Sequence, residues 1–122
     1  MNYRPEIVAA FRSQVGGCRK SGSELTARLM ERCVAELEGD GPPGRLLEDW
    51  QGQPFLDALP QRVVGAVRGL ALEGKAPELA RFYPSLGGSP LWPDTADAFA
   101  GVIARHAEAI RPRLATHVQT NE

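Results

Sequence analysis

The chain has 122 residues, of which 43% are hydrophobic and 24% charged, and its formal net charge at pH 7 is −1. This length suits one domain with a substantial core, and the composition is that of a globular protein rather than a disordered one. Acidic and basic residues alternate along the chain, which excludes a basic nucleic-acid-binding surface and a polybasic membrane-binding segment.

The N-terminal segment predicts a helix rather than a targeting signal. It lacks the basic, apolar and small-residue regions of a signal peptide, and no apolar run reaches the roughly 18 residues that span a bilayer, so a cytoplasmic location is expected. A helix is predicted from about residue 4 to 19. Its inward face consists of apolar residues at helical spacing, namely Ile7, Phe11, Val15 and Cys18.

A second helix should follow directly and pack as an antiparallel hairpin on the first. Ser21 and Glu24 match a capping box, in which a hydroxyl and a carboxylate satisfy the first free amides. The apolar stripe of this helix contains Leu25, Leu29, Cys33 and Leu37, and residues 39–43 end it. A short helix or turn is predicted over 45–50, with Leu46, Leu47 and Trp50 facing inward.

The two cysteines are predicted to be free thiols. In the hairpin, Cys18 and Cys33 would differ in height by roughly 12 Å at 1.5 Å per residue. A disulfide requires Cα atoms within about 7 Å.

The segment from Leu59 to Gly74 predicts the centre of the fold. It is apolar almost all round, which is typical of a helix buried inside a domain. Pro60 and Gly74 mark its ends, and Gly65 and Gly69 share one face, where another helix is expected to come close. We therefore predict a single all-α domain of five to six helices packed around a central helix at about 60–73.

The C-terminal third should contribute a short helix from Pro77, a loop over 85–93 and a last long helix. The loop carries Leu86, Leu91 and Trp92, which are expected to hold it against the surface. Asp94 is expected to cap the last helix, and Pro112 to end or kink it. The inward face of that helix is predicted to comprise Phe99, Val102, Ile103, His106 and Ile110.

The segment after the last helix has no helical period. We therefore predict a helical domain at 1–115 and a tail or linker at 116–122, leading toward a C-terminal domain that this chain lacks. The polar residues Gln119, Thr120, Asn121 and Glu122 form either a frayed tail or an inter-domain motif.

No catalytic residue and no metal site are predicted. His106 and His117 do not have metal-motif spacing, and both cysteines lie on apolar stripes where a thiol is inert. The Gly87–Gly88 loop lacks the Lys-Ser/Thr ending of a phosphate-binding loop, so it is interpreted as a turn.

One polar cluster surrounds the end of the central helix. It contains Arg68, Glu73, Lys75, Glu78, Arg81 and Tyr83. The favoured interpretation is a capped helix end with surface ion pairs worth under about 1 kcal/mol each. The alternative is a binding corner made by Arg68, Glu73, Lys75 and Tyr83.

Four segments resemble an uncharacterised bacterial family, a domain of unknown function. They are residues 11–19, 72–77 (LEGKAP), 83–88 (YPSLGG) and 118–122 (VQTNE), in the order in which the family has them. The sequence departs from the family pattern at Gly17 and at Ser23–Thr26. The resemblance spans essentially the whole chain but only the N-terminal part of the longer family members.

The resemblance implies a function for the longer protein rather than for this chain alone. Beyond the point matching Glu122, the longer members carry a Gly-rich segment similar to the cofactor motif of S-adenosylmethionine-dependent methyltransferases. This chain lacks that segment, so no cofactor is expected in it, and the resemblance makes S-adenosylmethionine a candidate cofactor of the full-length protein only. The leading hypothesis is an N-terminal helical accessory domain that shapes a substrate site and pairs with its own C-terminal domain.

The competing hypothesis is a helical interaction or homodimerisation module without chemistry. An exposed apolar patch would favour it, with members drawn from Trp50, Phe55, Leu91 and Trp92.

Overall fold

The computed structural model describes residues 5–39, 41–48, 50, 52–54 and 57–115. Within these ranges the chain forms helices and no strand. The α-helices are α1 (Pro5–Lys20), α2 (Glu24–Glu38), α3 (Pro42–Leu47), α4 (Leu59–Leu72), α5 (Pro77–Ala80), α6 (Asp94–Arg105) and α7 (Ala107–Ala115), and a 3-10 helix spans Pro84–Leu86. The buried apolar side chains form one core cluster, so the predicted single all-α domain is confirmed.

Helix α4 is the centre of that core, as predicted. It contacts α1, α2, α5, α6 and α7. Its buried residues are Leu59, Pro60, Val63, Val64, Ala66, Val67, Leu70 and Ala71. The last residue of the apolar run differs, because Leu72 is 45% exposed at the end of the helix.

The expected close helix approach at the two glycines of α4 was wrong. Gly65 is exposed, and a Cβ there would meet no atom within 4 Å. At Gly69 a Cβ would lie 2.7 Å from Nη1 of Arg113. The glycine face of α4 therefore accommodates a guanidinium group from α7 rather than the backbone of another helix.

Helices α1 and α2 form the predicted hairpin, and ion pairs join them near the turn and further from it. Near the turn, the guanidinium of Arg19 bonds Glu24 at 2.9 Å and Glu31 at 2.9 Å. Further from the turn, Arg12 near the middle of α1 pairs with Glu38, the last residue of α2. This pairing order is that of antiparallel neighbours.

The predicted capping box at the start of α2 was wrong. Gly22 adopts φ +91°, and the Ser21 hydroxyl donates backward to the carbonyl of Cys18 at 3.1 Å. Ser23 occupies the N-cap position instead, and its hydroxyl bonds the Thr26 hydroxyl at 2.7 Å. The Ser21 amide still bonds the Gly17 carbonyl of α1 at 3.1 Å, so Ser21 belongs to the last turn of α1 and its hydroxyl satisfies a carbonyl rather than an amide.

Both cysteines are free, as predicted. Cys33 is buried and Cys18 is half-buried, with its Sγ 3.9 Å from Sδ of Met30.

The short third helix lies earlier than predicted. It begins at Pro42, because the fixed φ of proline suits the first turn of a helix, and it ends at Leu47 rather than Trp50. Leu46 and Leu47 are buried as expected, and Trp50 is half-buried against the core.

The last long helix is divided into two, so the described chain has seven α-helices instead of five to six. His106 has φ −116° at the break, and its side chain is 30% exposed rather than part of the inward face. Pro112 lies inside α7 and does not end it. The other predicted inward residues, Phe99, Val102, Ile103 and Ile110, are fully buried.

The start of α6 also differs from the prediction. Asp94 is its first helical residue, and no side chain caps the helix at Pro93. Thr95 braces this end, because its hydroxyl accepts a bond from the Leu91 amide at 2.8 Å.

No helix in the described ranges is long and apolar enough to cross a membrane.

Candidate functional site

Glu73, at the end of α4, is the most heavily bonded residue of the predicted corner. Arg113 of α7 donates to both of its carboxylate oxygens, at 2.6 and 3.0 Å, and Nζ of Lys75 lies 3.3 Å away. These partners, Arg113 first, lower the pKa of Glu73 to about 2. Glu73 and Lys75 are therefore together as predicted, but the principal partner comes from forty residues further along the chain.

Arg68 and Tyr83 form a second group at the same end of α4. Arg68 donates to the Ser85 hydroxyl at 3.3 Å, which ties α4 to the 3-10 helix. Tyr83 is only 5% exposed, and its hydroxyl has no hydrogen-bond partner among the residues that the structure describes. Burial raises the pKa of this phenol to about 12, against a smaller opposing effect of the Arg68 charge.

The other two members of the polar cluster lie elsewhere. Glu78 accepts a bond from Arg105 of α6 at 2.7 Å, and Arg81 follows α5 with its guanidinium carbon 4.7 Å from the centre of the Phe82 ring. The structure therefore resolves the cluster into ion pairs at the end of α4 and a separate group beside α6. The ion-pair interpretation describes the contacts of Glu73 and Lys75.

The YPSLGG segment is a closed turn. The Tyr83 carbonyl accepts bonds from the amides of Leu86, at 3.0 Å, and Gly88, at 2.9 Å. Gly87 has φ +84°, and a Cβ on Gly88 would lie 1.9 Å from the Arg81 carbonyl oxygen. The turn predicted here is confirmed, and its two glycines are required by backbone conformation and by close packing.

The apolar side chains of the following loop were expected to hold it down, which was wrong for two of the three. Leu86 is 43% exposed and Leu91 58% exposed. Trp92 is half-buried, and the Arg28 guanidinium lies over its ring at 5.1 Å. Backbone hydrogen bonds, rather than burial of leucines, fix this loop.

The apolar patch that would favour a dimerisation module is small in the described residues. Trp50 and Trp92 pack against the core, and Phe55 lies outside the described residues. Leu91 is the exposed member of the predicted set.

A cleft that the sequence did not reveal lies between α5 and α6. Its volume is about 360 Å³, and its lining residues are Glu78, Arg81, Phe82, Asp94, Asp97, Ala98, Gly101 and Arg105. The residues come from both sides of the loop over 85–93. Only the polar character of Glu78 and Arg81 gave a local signal, because their convergence with α6 depends on tertiary packing.

Among the described residues, every shifted pKa value moves away from 7. Ion pairing, with Arg19 and Arg113 respectively, lowers the pKa values of Glu24 and Glu73 to about 2. Burial raises the pKa values of the Cys18 and Cys33 thiols. These shifts keep each of the four groups in one protonation state near pH 7.

Three or more His, Cys, Asp or Glu side chains do not gather into a metal-binding group anywhere in the described ranges.

Comparison with known families gives the chain its context. A family model described as "Uncharacterized protein conserved in bacteria (DUF2332)" matches residues 8–122. The chain belongs to this family. No curated protein and no solved structure matches the chain.

The family match agrees with the resemblance to an uncharacterised bacterial family, and its matched range contains all four segments that carry the resemblance. The LEGKAP segment is the connection between α4 and α5. Gly74 has φ +80°, the Lys75 amide bonds the Leu70 carbonyl at 2.9 Å, and Ala76 is fully buried before Pro77 begins α5. In this segment the family-like residues serve the fold.

The predicted inter-domain motif Gln119, Thr120, Asn121 and Glu122 lies outside the described residues, as does His117.

Proposed function

We propose that this chain is the N-terminal helical accessory domain of a methyltransferase-like bacterial protein, and that it shapes the substrate site without performing the chemistry. The connection to methyltransferases comes from the sequence resemblance of the longer family members. The observation that carries the accessory role is the exposed corner at the end of α4, where Leu72 is 45% exposed although the other leucines and valines of this helix are buried.

The corner at the end of α4 is proposed as the surface nearest the C-terminal domain. Arg68, Leu72 and Lys75 are exposed there, and Tyr83 lies beneath with an unpartnered hydroxyl. One exposed apolar side chain together with two exposed cationic ones suits a partner surface of mixed polarity. The motif at 119–122 is proposed to continue from the helical domain toward the same partner.

Calorimetric titration with S-adenosylmethionine tests this division of roles. The 122-residue chain should give no measurable heat of binding, whereas the longest protein that its natural reading frame encodes should bind the cofactor. Micromolar binding by the chain alone would overturn the proposal. Failure of the longer product to bind, or a reading frame that stops after Glu122, would also overturn it.

The competing proposal is a homodimerisation module, for which the exposed Leu72, Leu86 and Leu91 are the supporting observation. Light scattering over a range of concentrations distinguishes the two. The accessory-domain proposal expects a monomer at every concentration, and a concentration-dependent dimer that Leu91→Asp abolishes would favour the module.

A further inference from the structure

The charged residues of the cleft between α5 and α6 are unevenly paired. Glu78 is bonded by Arg105 at 2.7 Å, and Asp97 is bonded by Arg32 of α2 at 2.7 Å. Asp94 has no ion-pair partner among the described residues, and neither does Arg81, whose guanidinium carbon lies 4.7 Å from the centre of the Phe82 ring. The cleft therefore presents one unpaired cation and one unpaired anion, which do not approach within ion-pair distance of each other.

The backbone carrying Arg81 is fixed by the closed turn of the YPSLGG segment. The Ser89 amide donates to the Arg81 carbonyl at 3.3 Å, and Gly88 packs directly on the same oxygen. The glycine pair that resembled a phosphate-binding loop therefore serves a different purpose, because it holds the backbone from which the cationic side chain projects.

Asp94 is fixed in a comparable way on the opposite side. It is the first residue of α6, and the Thr95 hydroxyl anchors that turn to Leu91 by accepting from its amide at 2.8 Å and donating to its carbonyl at 3.1 Å. Backbone positions that are set before binding reduce the entropy lost when a ligand is bound.

The apolar lining residues of the cleft are Phe82, Ala98 and Gly101. Phe82 is almost completely buried and the Arg81 guanidinium lies over its ring, whereas Ala98 and Gly101 are half-buried and accessible to a ligand. A Cβ on Gly101 would lie 3.2 Å from Nη1 of Arg105, so the glycine lets that side chain lie across the helix. The volume of about 360 Å³ is at the small end of ligand sites, which run from about 300 to 1,000 Å³.

We propose that this cleft binds a small zwitterion of amino-acid size. Arg81 receives the carboxylate, Asp94 receives the ammonium group, and the aliphatic part of the ligand lies against Ala98 and Gly101. The site is independent of the proposed accessory role, because it needs neither the corner at the end of α4 nor a C-terminal domain.

Nuclear magnetic resonance titration of the ¹⁵N-labelled 122-residue chain with L-leucine tests the site. Because both charged groups are exposed, a dissociation constant on the order of 1 mM is expected. The amides of Phe82, Ala98 and Gly101 should shift and saturate together. Two analogues each carry one of the charges of leucine: 3-methylbutylamine is the cation and 4-methylpentanoate is the anion. Each should bind at least about tenfold more weakly than L-leucine.

Matched variants assign the two charges. Arg81→Gln and Asp94→Asn should each weaken L-leucine binding by about tenfold or more, whereas Arg81→Lys should retain most of it. The controls are Lys20→Gln and Glu108→Gln, which remove the same charges outside the cleft and should leave binding unchanged. All these side chains are exposed, and an unchanged amide spectrum verifies that each variant is folded.

Several results would overturn the proposal. Absence of saturable shifts up to tens of millimolar L-leucine means that the cleft is not a zwitterion site. If 3-methylbutylamine or 4-methylpentanoate binds as tightly as L-leucine, only one of the two charged groups takes part in binding. Shifts that survive both Arg81→Gln and Asp94→Asn place any binding elsewhere on the surface.

Discussion

We predict that Tyr83→Phe stabilises the protein, because the hydroxyl of Tyr83 is unpartnered. Most substitutions lower the free energy of unfolding, but this one should raise it. The phenol ring is buried, and within the described part of the chain its hydroxyl contacts no donor or acceptor. A buried polar group without a partner costs about 1 to 3 kcal/mol of desolvation, and phenylalanine keeps the ring while removing that cost. We expect a gain of about 1 kcal/mol in the free energy of unfolding, which corresponds to roughly 4 °C in Tm for 122 residues.

Thr95 supplies a matched control from the same small apolar space. Its hydroxyl is buried like that of Tyr83, but it bonds the amide and the carbonyl of Leu91. Thr95→Val preserves the shape and removes both bonds, so it should lower the free energy of unfolding by about 1 to 2 kcal/mol. Urea denaturation followed by circular dichroism measures both variants, and an unchanged m value would show that the unfolded state is unaffected.

Because of the same hydroxyl, the stability of the protein should depend on pH in the alkaline range. Burial raises the folded-state pKa of Tyr83 to about 12, above the ordinary value of 10.0, so the unfolded chain loses its proton first. Below pH 10 this titration does not affect the free energy of unfolding. As the pH rises from 10 toward 12, the free energy of unfolding falls by about 2 to 3 kcal/mol. The advantage of Tyr83→Phe should grow over that interval. A Tyr83→Phe variant less stable than the parent at neutral pH would refute the reasoning, because it would show that the hydroxyl has a partner.

Three further predictions concern the central helix and its neighbours. Gly65→Ala should raise the free energy of unfolding by about 0.5 to 1 kcal/mol, because the position is exposed, helical and open around the added methyl group; a loss in chemical denaturation would contradict this. Leu70→Ala should lower the free energy of unfolding by about 2 to 5 kcal/mol, because Leu70 is fully buried. Leu72→Ala should lower it by under about 1 kcal/mol, because Leu72 is 45% exposed. Equal losses in the same assay would contradict this difference in burial. Finally, pairing with Arg113 lowers the pKa of Glu73 to about 2. The stabilisation by this ion pair is therefore complete above pH 4.5 and is lost as the pH falls toward 2. Arg113→Gln should flatten the decline of the urea midpoint over that interval, and an unchanged decline would count against the pair.

Local patterns were sufficient to predict the main architecture. The central helix was placed within one residue at each end, because Pro60, the apolar run and Gly74 are all local signals. The first helix was equally close. The third helix was displaced because Pro42 was interpreted as a terminator, whereas a proline can also begin a helix.

The errors come from features that depend on distant residues or on one backbone angle. The capping box failed because Ser21 is bonded to the last turn of α1 through both its amide and its hydroxyl. The last helix was expected to be continuous, but it breaks at His106, which lies 3.9 Å from Glu78 of another helix.

The candidate site shows the same limit. Glu73 and Lys75 were grouped correctly from their proximity in sequence, but Arg113 could not be assigned to them from the chain order. The cleft between α5 and α6 brings together residues on both sides of a loop, so only the fold could reveal it.

The attachment of α7 has a mechanical consequence. Two consecutive residues of α7 are anchored to α4 at points eleven residues apart: the Leu114 carbonyl accepts from Arg62 at 2.8 Å, and the Arg113 side chain holds Glu73. Sliding α7 along α4 by one turn, about 5.4 Å, would break both attachments at once in either direction. The two arginines thus fix the position of α7 along α4. We expect α7 to dissociate from α4 as a whole rather than to slide along it.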